Sequence, residues 1–347
     1  MSASESLRQE RIGWTNGIVF ESGTSRLVFD PTSGRPLRED WHVFITHAHS
    51  DHTYGFSTRA RKHSTVETLR IYEALRERQV KNAHTLKIGE RIGLDDLEVN
   101  VLNAGHMLGS CQYEIVTPQF TALYTGDINC VDTLTTEAAQ HKQCDYLIIE
   151  ATYGHPSYLF PRRSTMYADI IRWVMTEIGD AKVPTFQVYS SGKPQELVRL
   201  FNVYTKLPVV CSQTIAHSNN VYSENGVKLD FLDSSTTEGR SALKSGGCVY
   251  ITTARADHVP KNASRAVATG WAVREAFRNC ASFPLSSHAD FCQLMDFVGH
   301  VNPKKVYIFT GYTDVLSTQI ERKLGIKAGP LPLIAQTKLL DFNEAVT

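Results

Sequence analysis

The stretch Trp41-His42-Val43-Phe44-Ile45-Thr46-His47-Ala48-His49-Ser50-Asp51-His52 decides the fold. Its first half is β-branched and aromatic, the composition of a buried strand. Its second half starts where that strand ends and places three histidines and one aspartate in six positions. Imidazole nitrogen and carboxylate oxygen are ligands for zinc and its relatives, and a catalytic zinc keeps one position open for water. His47 and His49, two apart at a strand end, can face one pocket. A sharp turn after them can aim Asp51 and His52 at an adjacent point. The plain alternative is a solvated His-rich loop, but a random loop rarely concentrates ligands this way.

Further along, the same placement recurs. His106 follows the alternating strand Leu97–Val101 and lies in Ala104-Gly105-His106-Met107-Leu108-Gly109-Ser110, where glycines let backbone approach a site closely. Asp127 follows the strand Phe120–Tyr124, in Thr125-Gly126-Asp127. Either alone reads as an ordinary loop His or turn Asp. Their shared position past a strand end groups them with His47–His52.

The rest of the first half supplies strands over residues 17–21 and 26–30, and a helix through Val66, Leu69, Tyr72 and Leu75. Tyr146–Glu150 is a further strand. From about Pro156 strands alternate with helices: Thr185–Tyr189, a helix from Pro194 to Phe201, then strands at 207–211, 248–252 and 266–270. That alternation predicts a parallel α/β unit. The chain returns to Pro284–His288, a helix over Phe291–Phe297 and a strand at Lys305–Phe309.

The 347 residues suit one large domain or two coupled ones. Lys plus Arg number 36, as do Asp plus Glu, so the strongly basic balance of many nucleic-acid binders is absent, although a local basic groove is compatible with zero net charge. The seven cysteines show no CxxC spacing, which predicts a reducing compartment and no disulfide framework. The polar first residues do not look like a signal peptide, and no apolar run approaches the ~20 residues that span a bilayer. A cytoplasmic protein with no membrane contact is expected.

The strand, His-x-His-x-Asp-His, His and Asp series resembles the metallo-β-lactamase superfamily. Three later features are similar to its β-CASP nucleases. They are Glu150 in Leu147-Ile148-Ile149-Glu150-Ala151-Thr152-Tyr153-Gly154, the turn Ser190-Ser191-Gly192-Lys193-Pro194-Gln195-Glu196 opening a helix, and Ser286-Ser287-His288-Ala289-Asp290. The resemblance runs from about Gly13 to Lys323. The compact size, Ala268-Thr269-Gly270-Trp271 read as a strand, and Thr310-Gly311-Tyr312-Thr313 look most like ligase-associated DNA exonucleases and their archaeal relatives.

The resemblance implies an α/β protein, an αβ/βα metallo-β-lactamase sandwich from residues 1–155 and 272–347, with a small α/β β-CASP domain inserted at 156–271. It implies that His47, His49 and His106 hold one zinc, Asp51 and His52 a second, and that Asp127 bridges them. Asp30 would brace the metal loop, Glu150 would orient His288, and His288 would protonate the leaving oxygen. Asp51, Glu150 and His288 are thus the expected catalytic residues. Thr310 stands where RNA-processing members carry a further His ligand, so the second ion is expected to be held less firmly and to be open to replacement by manganese. The DNA-cutting branch also lacks that His.

The resemblance therefore implies a zinc-dependent exonuclease on single-stranded DNA ends, associated with a DNA ligase or other repair proteins. The competing readings are an RNA-processing nuclease of the same fold, a small-molecule hydrolase such as a thioesterase, and a non-catalytic nucleic-acid-binding subunit. Glu150, His288 and the insertion argue against the second, and the complete metal run argues against the third. Candidate phosphate contacts are Ser190, Ser191, Gly192 and Lys193 at the helix opening and Arg162 and Arg163 at the start of the insertion. Arg59, Arg61, Lys62 and His63 read as a phosphate patch or a solvated loop. Trp271 reads as core or as a base-stacking ring. His217, His258 and His300 lack ligand spacing.

Overall fold

The computed structural model describes residues 11–22, 25–33, 37–94, 97–253 and 259–334; His258 lies outside them. The first sheet contains β1 (Arg11–Trp14), β2 (Ile18–Ser22), β3 (Ser25–Phe29), β4 (His42–Phe44), β5 (Arg61–Thr65) and, after helix α1 (Val66–Arg76), β6 (Ala83–Leu86), in that spatial order. The chain crosses to a second sheet with β7 (Arg91–Leu94), β8 (Leu97–Asn103), β9 (Cys111–Val116), β10 (Thr121–Tyr124) and β11 (Tyr146–Ala151).

Next come α2 (Arg163–Gly179), β12 (Val183–Gln187), α3 (Lys193–Tyr204), β13 (Val209–Cys211), α4 (Gln213–Glu224), β14 (Leu232–Asp233), α5 (Thr237–Ser245), β15 (Val249–Thr252), β16 (Ala263–Ala268) and β17 (Ala281–Phe283). These six strands form a third sheet, ordered β14-β13-β15-β12-β16-β17 and parallel throughout. The chain then rejoins the second sheet through α6 (Phe291–Val301), β18 (Lys305–Gly311), α7 (Thr313–Leu324) and β19 (Lys327–Pro330), giving the order β19-β18-β11-β10-β9-β8-β7.

The layers follow from which face of each element is apolar. Phe20, Leu27, Phe29 and Phe44 of the first sheet meet Val99, Val101, Tyr113, Ile115 and Ile148 of the second in one buried core. In β8 burial alternates along the strand, the period-two signal of a sheet with one face inward. On the outer face of the second sheet, Leu147, Ile149 and Val306 pack against Leu294, Phe297, Leu316 and Ile320 of α6 and α7. Outside the first, Val43 and Ile45 pack against Leu69 and Tyr72 of α1. Helix, sheet, sheet, helix is the expected αβ/βα sandwich. The third sheet is the expected α/β segment, with Phe186, Ile251 and Ala266 packed under Ile170, Val174, Leu197 and Phe201.

Three expectations change. The strand at 266–270 is β16, which ends at Ala268; Gly270–Val273 is a 3-10 turn, so Trp271 is on that turn, half-buried against Tyr153 and Tyr158. β17 follows residue 271, the expected end of the insertion, yet pairs with β16, so the third sheet closes only at Phe283. Lys62 and His63 are neither phosphate patch nor solvated loop. They belong to β5, between β4 and β6, and the buried Lys62 ammonium donates to the carbonyls of Ala60 and Lys81.

All seven cysteines are free thiols, as expected. Among the described residues no helix is long and apolar enough to cross a membrane.

Candidate metal centre and active site

The candidate residues sit at or just past the carboxyl ends of β3 (Asp30), β4 (His47, His49, Asp51, His52), β8 (His106), β10 (Asp127) and β11 (Glu150). Strand ends of one sandwich therefore converge on one rim. Two of the turns demand glycine. Gly105 has φ +71, and a Cβ there would lie 2.5 Å from the Asn129 carbonyl oxygen; Gly126 has φ +55, and its Cβ would lie 2.8 Å from Thr46. Each immediately precedes a candidate ligand.

Hydrogen bonds fix which nitrogen each imidazole presents. His106 Nδ1 donates to the Ser287 carbonyl at 2.7 Å, leaving the Nε2 lone pair free. Thr46 Oγ1 donates to Asp30 at 2.6 Å, so it accepts from His47 Nδ1 at 3.0 Å and leaves His47 Nε2 free. His49 Nε2 donates to the Ser191 carbonyl at 3.2 Å and leaves Nδ1 free. The three free nitrogens face one another: His47 Nε2 is 3.2 Å from His49 Nδ1, which is 3.1 Å from His106 Nε2. With every proton already assigned elsewhere, these are lone pairs pointing at lone pairs.

A cation resolves that conflict. An ion held tetrahedrally at about 2.1 Å sets its donor atoms about 3.4 Å apart, and Asp127 Oδ2 completes the set at 3.5 Å from His47 Nε2 and 3.9 Å from His106 Nε2. Burial holds His47 and His106 well below the ordinary imidazole range and His49 down at about 4, so all three are neutral ligands. The donor set fits a divalent metal of the zinc type.

Asp127 is shared. Among the described residues, donor atoms within 4.8 Å of one another form two groups, His47, His49, His106, Asp127 and Asp127, Glu150, His288. His52 Nε2 lies 3.6 Å from Asp127 Oδ2 and 3.6 Å from Asp51 Oδ2, while the Asp51 side chain is 77% exposed. The second set of expected ligands is thus looser than the first. Burial lowers the His52 imidazole, but Asp127, Asp30 and Asp51 outweigh it and raise it to about 10; burial raises Asp127 to about 6.

Asp30, just past β3, is buried and makes four hydrogen bonds at the candidate centre. Its carboxylate accepts from the Thr46 amide, Thr46 Oγ1, the Tyr124 hydroxyl and His52 Nδ1, all within 2.8 Å. It thereby turns His52 Nε2 toward the site, the usual task of a carboxylate behind a metal-binding His.

His288 Nδ1 faces both Glu150 oxygens at 2.9 and 3.1 Å, and its Nε2 is 4.0 Å from Asp127 Oδ2. Glu150 also accepts from the Ile128 and Thr152 amides. Burial pushes His288 down, but Glu150 and Asp127 outweigh it and raise it; Glu150 is lowered by His288 against its own burial. A register slip between Ile149 and Glu150 passes over Phe309 and sets Thr310 opposite Glu150.

The centre opens into a cleft of about 2180 Å³ lined from the sandwich by His49, Asp127 and Thr310 and from the third sheet by Gln187, Ser212 and Thr269. Ser190, Ser191 and Lys193 also line it. The Gly192 site is close enough that a Cβ there would sit 3.8 Å from His49 Nε2. Burial lowers the Lys193 ammonium to about 8. Arg163 is a correction: its guanidinium is turned inward, bonded to Glu196 and to the Ser286 carbonyl, and it joins α2 and α3 to the His288 loop. Arg162 is exposed at the start of α2, outside the cleft lining. Ser191 and Ser287 lie in stretches singled out above, but their anchoring of His49 and His106 is through backbone carbonyls and so carries no side-chain signal.

Residues 17–181 match the model of a family described as beta-lactamase superfamily domain. The chain is 30% identical over 294 residues to a probable DNA ligase from Opitutus terrae, covering 81% of this chain and 28% of the ligase. It is 28% identical over 206 residues to an RNase J-like protein from Methanocaldococcus jannaschii (52% of this chain, 49% of that one). It is 24% identical over 286 residues to the 5' exonuclease Apollo from Danio rerio (77% and 48%). The chain thus spans half or less of these curated relatives. A crystal structure of a protein of unknown function from Enterococcus faecalis shares the fold, with TM-score 0.64 and 12% identity over 94% of this chain and 97% of that one.

Proposed function

We propose, for a chain that carries a metallo-β-lactamase domain and has relatives in the β-CASP nuclease family, that it is a metal-dependent phosphodiesterase acting on nucleic acid, in the first instance an exonuclease on single-stranded DNA ends. The observation that carries this is the sharing of Asp127 between a metal-ligand set and the Glu150–His288 pair. His47, His49 and His106 would hold one zinc, and Asp51 and His52 a second, less firmly held ion with Asp127 between. Divalent ions in those positions supply Lewis acidity and a water made acidic near neutral pH.

The chain's own residues do the rest. Glu150 holds the His288 proton at Nδ1 and favours the charged ring. Nε2 then carries the proton given to the departing oxygen. Lys193 at the α3 opening neutralises phosphate charge. Against a small-molecule hydrolase stand the Glu150–His288 pair and the third sheet that flanks the cleft.

DNA is favoured by the probable ligase, whose similarity covers 81% of this chain, and this similarity also supports association with a ligase or other repair proteins. The RNA alternative rests on the RNase J-like relative. A cytoplasmic location goes with either. The test is to incubate purified protein, with added zinc or manganese, with end-labelled single-stranded DNA and RNA of one sequence, alongside circular strands. Progressive shortening of linear DNA is expected. Cutting of RNA alone, or of circles, overturns the substrate or end requirement.

A further inference from the structure

We infer that the ion pair of Arg163 and Glu196 sets the metal affinity of the centre, by tying together the two backbone carbonyls that hold His49 and His106. Both are positioning residues, acting on the ligands through the main chain. This role rests on the metal-centre reading above and does not depend on which nucleic acid is cut.

The two carbonyls come from outside the strand-end loops that carry the ligands. Ser191 lies in the turn between β12 and α3, and Ser287 in the loop from β17 to α6. Each takes the proton of one imidazole, at 3.2 Å for His49 Nε2 and 2.7 Å for His106 Nδ1, and so decides which nitrogen faces the ion. The ligand set is therefore complete only when the α3 turn and the loop before α6 are both in place against the sandwich.

Arg163, the first residue of α2, joins these two segments. Its Nη2 donates to the Ser286 carbonyl at 2.7 Å, one peptide before Ser287. Its Nη1 donates to Glu196 Oε1, in the first turn of α3. The Glu196 amide in turn donates to the Gly192 carbonyl at 3.4 Å, and Gln195 Oε1 accepts from the Gly192 amide at 2.7 Å, so that turn leads rigidly back to Ser191. In the other direction, Ser286 Oγ accepts from the His288 amide at 2.9 Å. A continuous path thus runs from His49 through Ser191, Glu196, Arg163, Ser286 and Ser287 to His106.

The Arg163 and Glu196 side chains are only 15% and 3% exposed. Desolvation offsets most of the attraction in so buried a pair, so it is weak as a source of stability. What a guanidinium supplies is direction, since its planar fork reaches two acceptors in fixed geometry. Groups that orient metal ligands from behind typically carry ten- to a hundredfold in metal affinity. Arg163 acts one link further out, which places it at the lower end.

The test uses the full chain as wild type, Arg163→Met, Tyr167→Phe and the double variant Arg163→Met/Glu196→Met. Zinc affinity is read by competition with a chromophoric chelator, and coordination by the visible absorption of the cobalt(II)-loaded protein. Circular dichroism and the thermal midpoint of the metal-free protein report the fold. Tyr167 is the control, because its hydroxyl donates to the same Glu196 oxygen at 2.5 Å but has no bond to the Ser286 carbonyl. Tyr167→Phe should lower the midpoint and leave zinc affinity unchanged. Arg163→Met should weaken zinc about tenfold and alter the cobalt spectrum. The double variant strands no buried charge, so it keeps the fold even where Arg163→Met does not, and it should bind zinc about tenfold more weakly than wild type. Wild-type zinc affinity in the double variant, or a loss in Tyr167→Phe as large as in Arg163→Met, overturns the role of the pair and leaves the metal centre intact. A wild type that takes up no zinc overturns the metal centre itself.

Discussion

The Glu150–His288 pair is where the proposed chemistry is most exposed to test. Glu150 is fully buried, bonded to two backbone amides as well as to His288, so it could act through the ring or independently of it. If it acts through the ring, Glu150→Gln lowers kcat by about a hundredfold, within the range for general acid catalysis, with KM unmoved. His288→Ala lowers it at least as far, and the double variant falls no further than His288→Ala, since residues acting as one unit are non-additive. Losses that multiply would show that Glu150 works apart from His288. His47, His49, His52, His106 and Asp127 were legible because each follows a strand in a pattern of ligand types. The nitrogen each histidine offers was not, because it is set by carbonyls at Ser191 and Ser287, 142 and 181 residues from the rings they anchor.

β5 shows where an element escapes its own sequence. Arg61, Lys62 and His63 have no apolar signal, and they form a strand because β4 and β6 pair with it on both sides. By contrast β4 was legible from its β-branched and aromatic composition and β8 and α1 from their periods, and the end of β16 was not, since a cap by Thr269 turns the chain at Gly270. The location of β5 has a thermodynamic consequence. His63 is stacked on Phe44, with His42 and His84 beside it, and burial, then those two rings, lower its imidazole to about 3. A folded value below the unfolded one means that the unfolded chain takes up a proton first as pH falls. Stability is then full above pH of about 6.5 and drains away below it at about 1.4 kcal/mol per pH unit, levelling only near the folded value. Urea midpoints of wild type and His63→Phe, compared at neutral pH and at pH of about 5, should show the variant less steep by close to one proton. Equal slopes would mean that His63 takes up its proton in the folded state as easily as in the unfolded one.

At the scale of the molecule, charge and cleft must be considered together. The formal net charge is +0, so no global field draws a polyanion to the protein. Attraction has to come from the few cations that line the cleft, Lys193, Arg240 and Lys244 among them. The balanced composition was legible in the sequence, but the lining of one cleft by these cations was not, because they come from two helices far apart in the chain, Lys193 at the start of α3 and Arg240 and Lys244 along α5. Binding to a strand that fills the cleft should therefore weaken with salt in proportion to a small number of contacts. Each phosphate neutralised on a single strand contributes a slope of about −0.7 to log K against log salt concentration, so two to four contacts give about −1.5 to −3. Anisotropy titrations of a labelled phosphorothioate octanucleotide across a salt series measure this directly. Lys244→Ala should make the slope shallower by close to one contact. A slope near zero would mean that stacking and metal contacts hold the strand unaided, whereas a much steeper one would require a charged surface beyond this cleft.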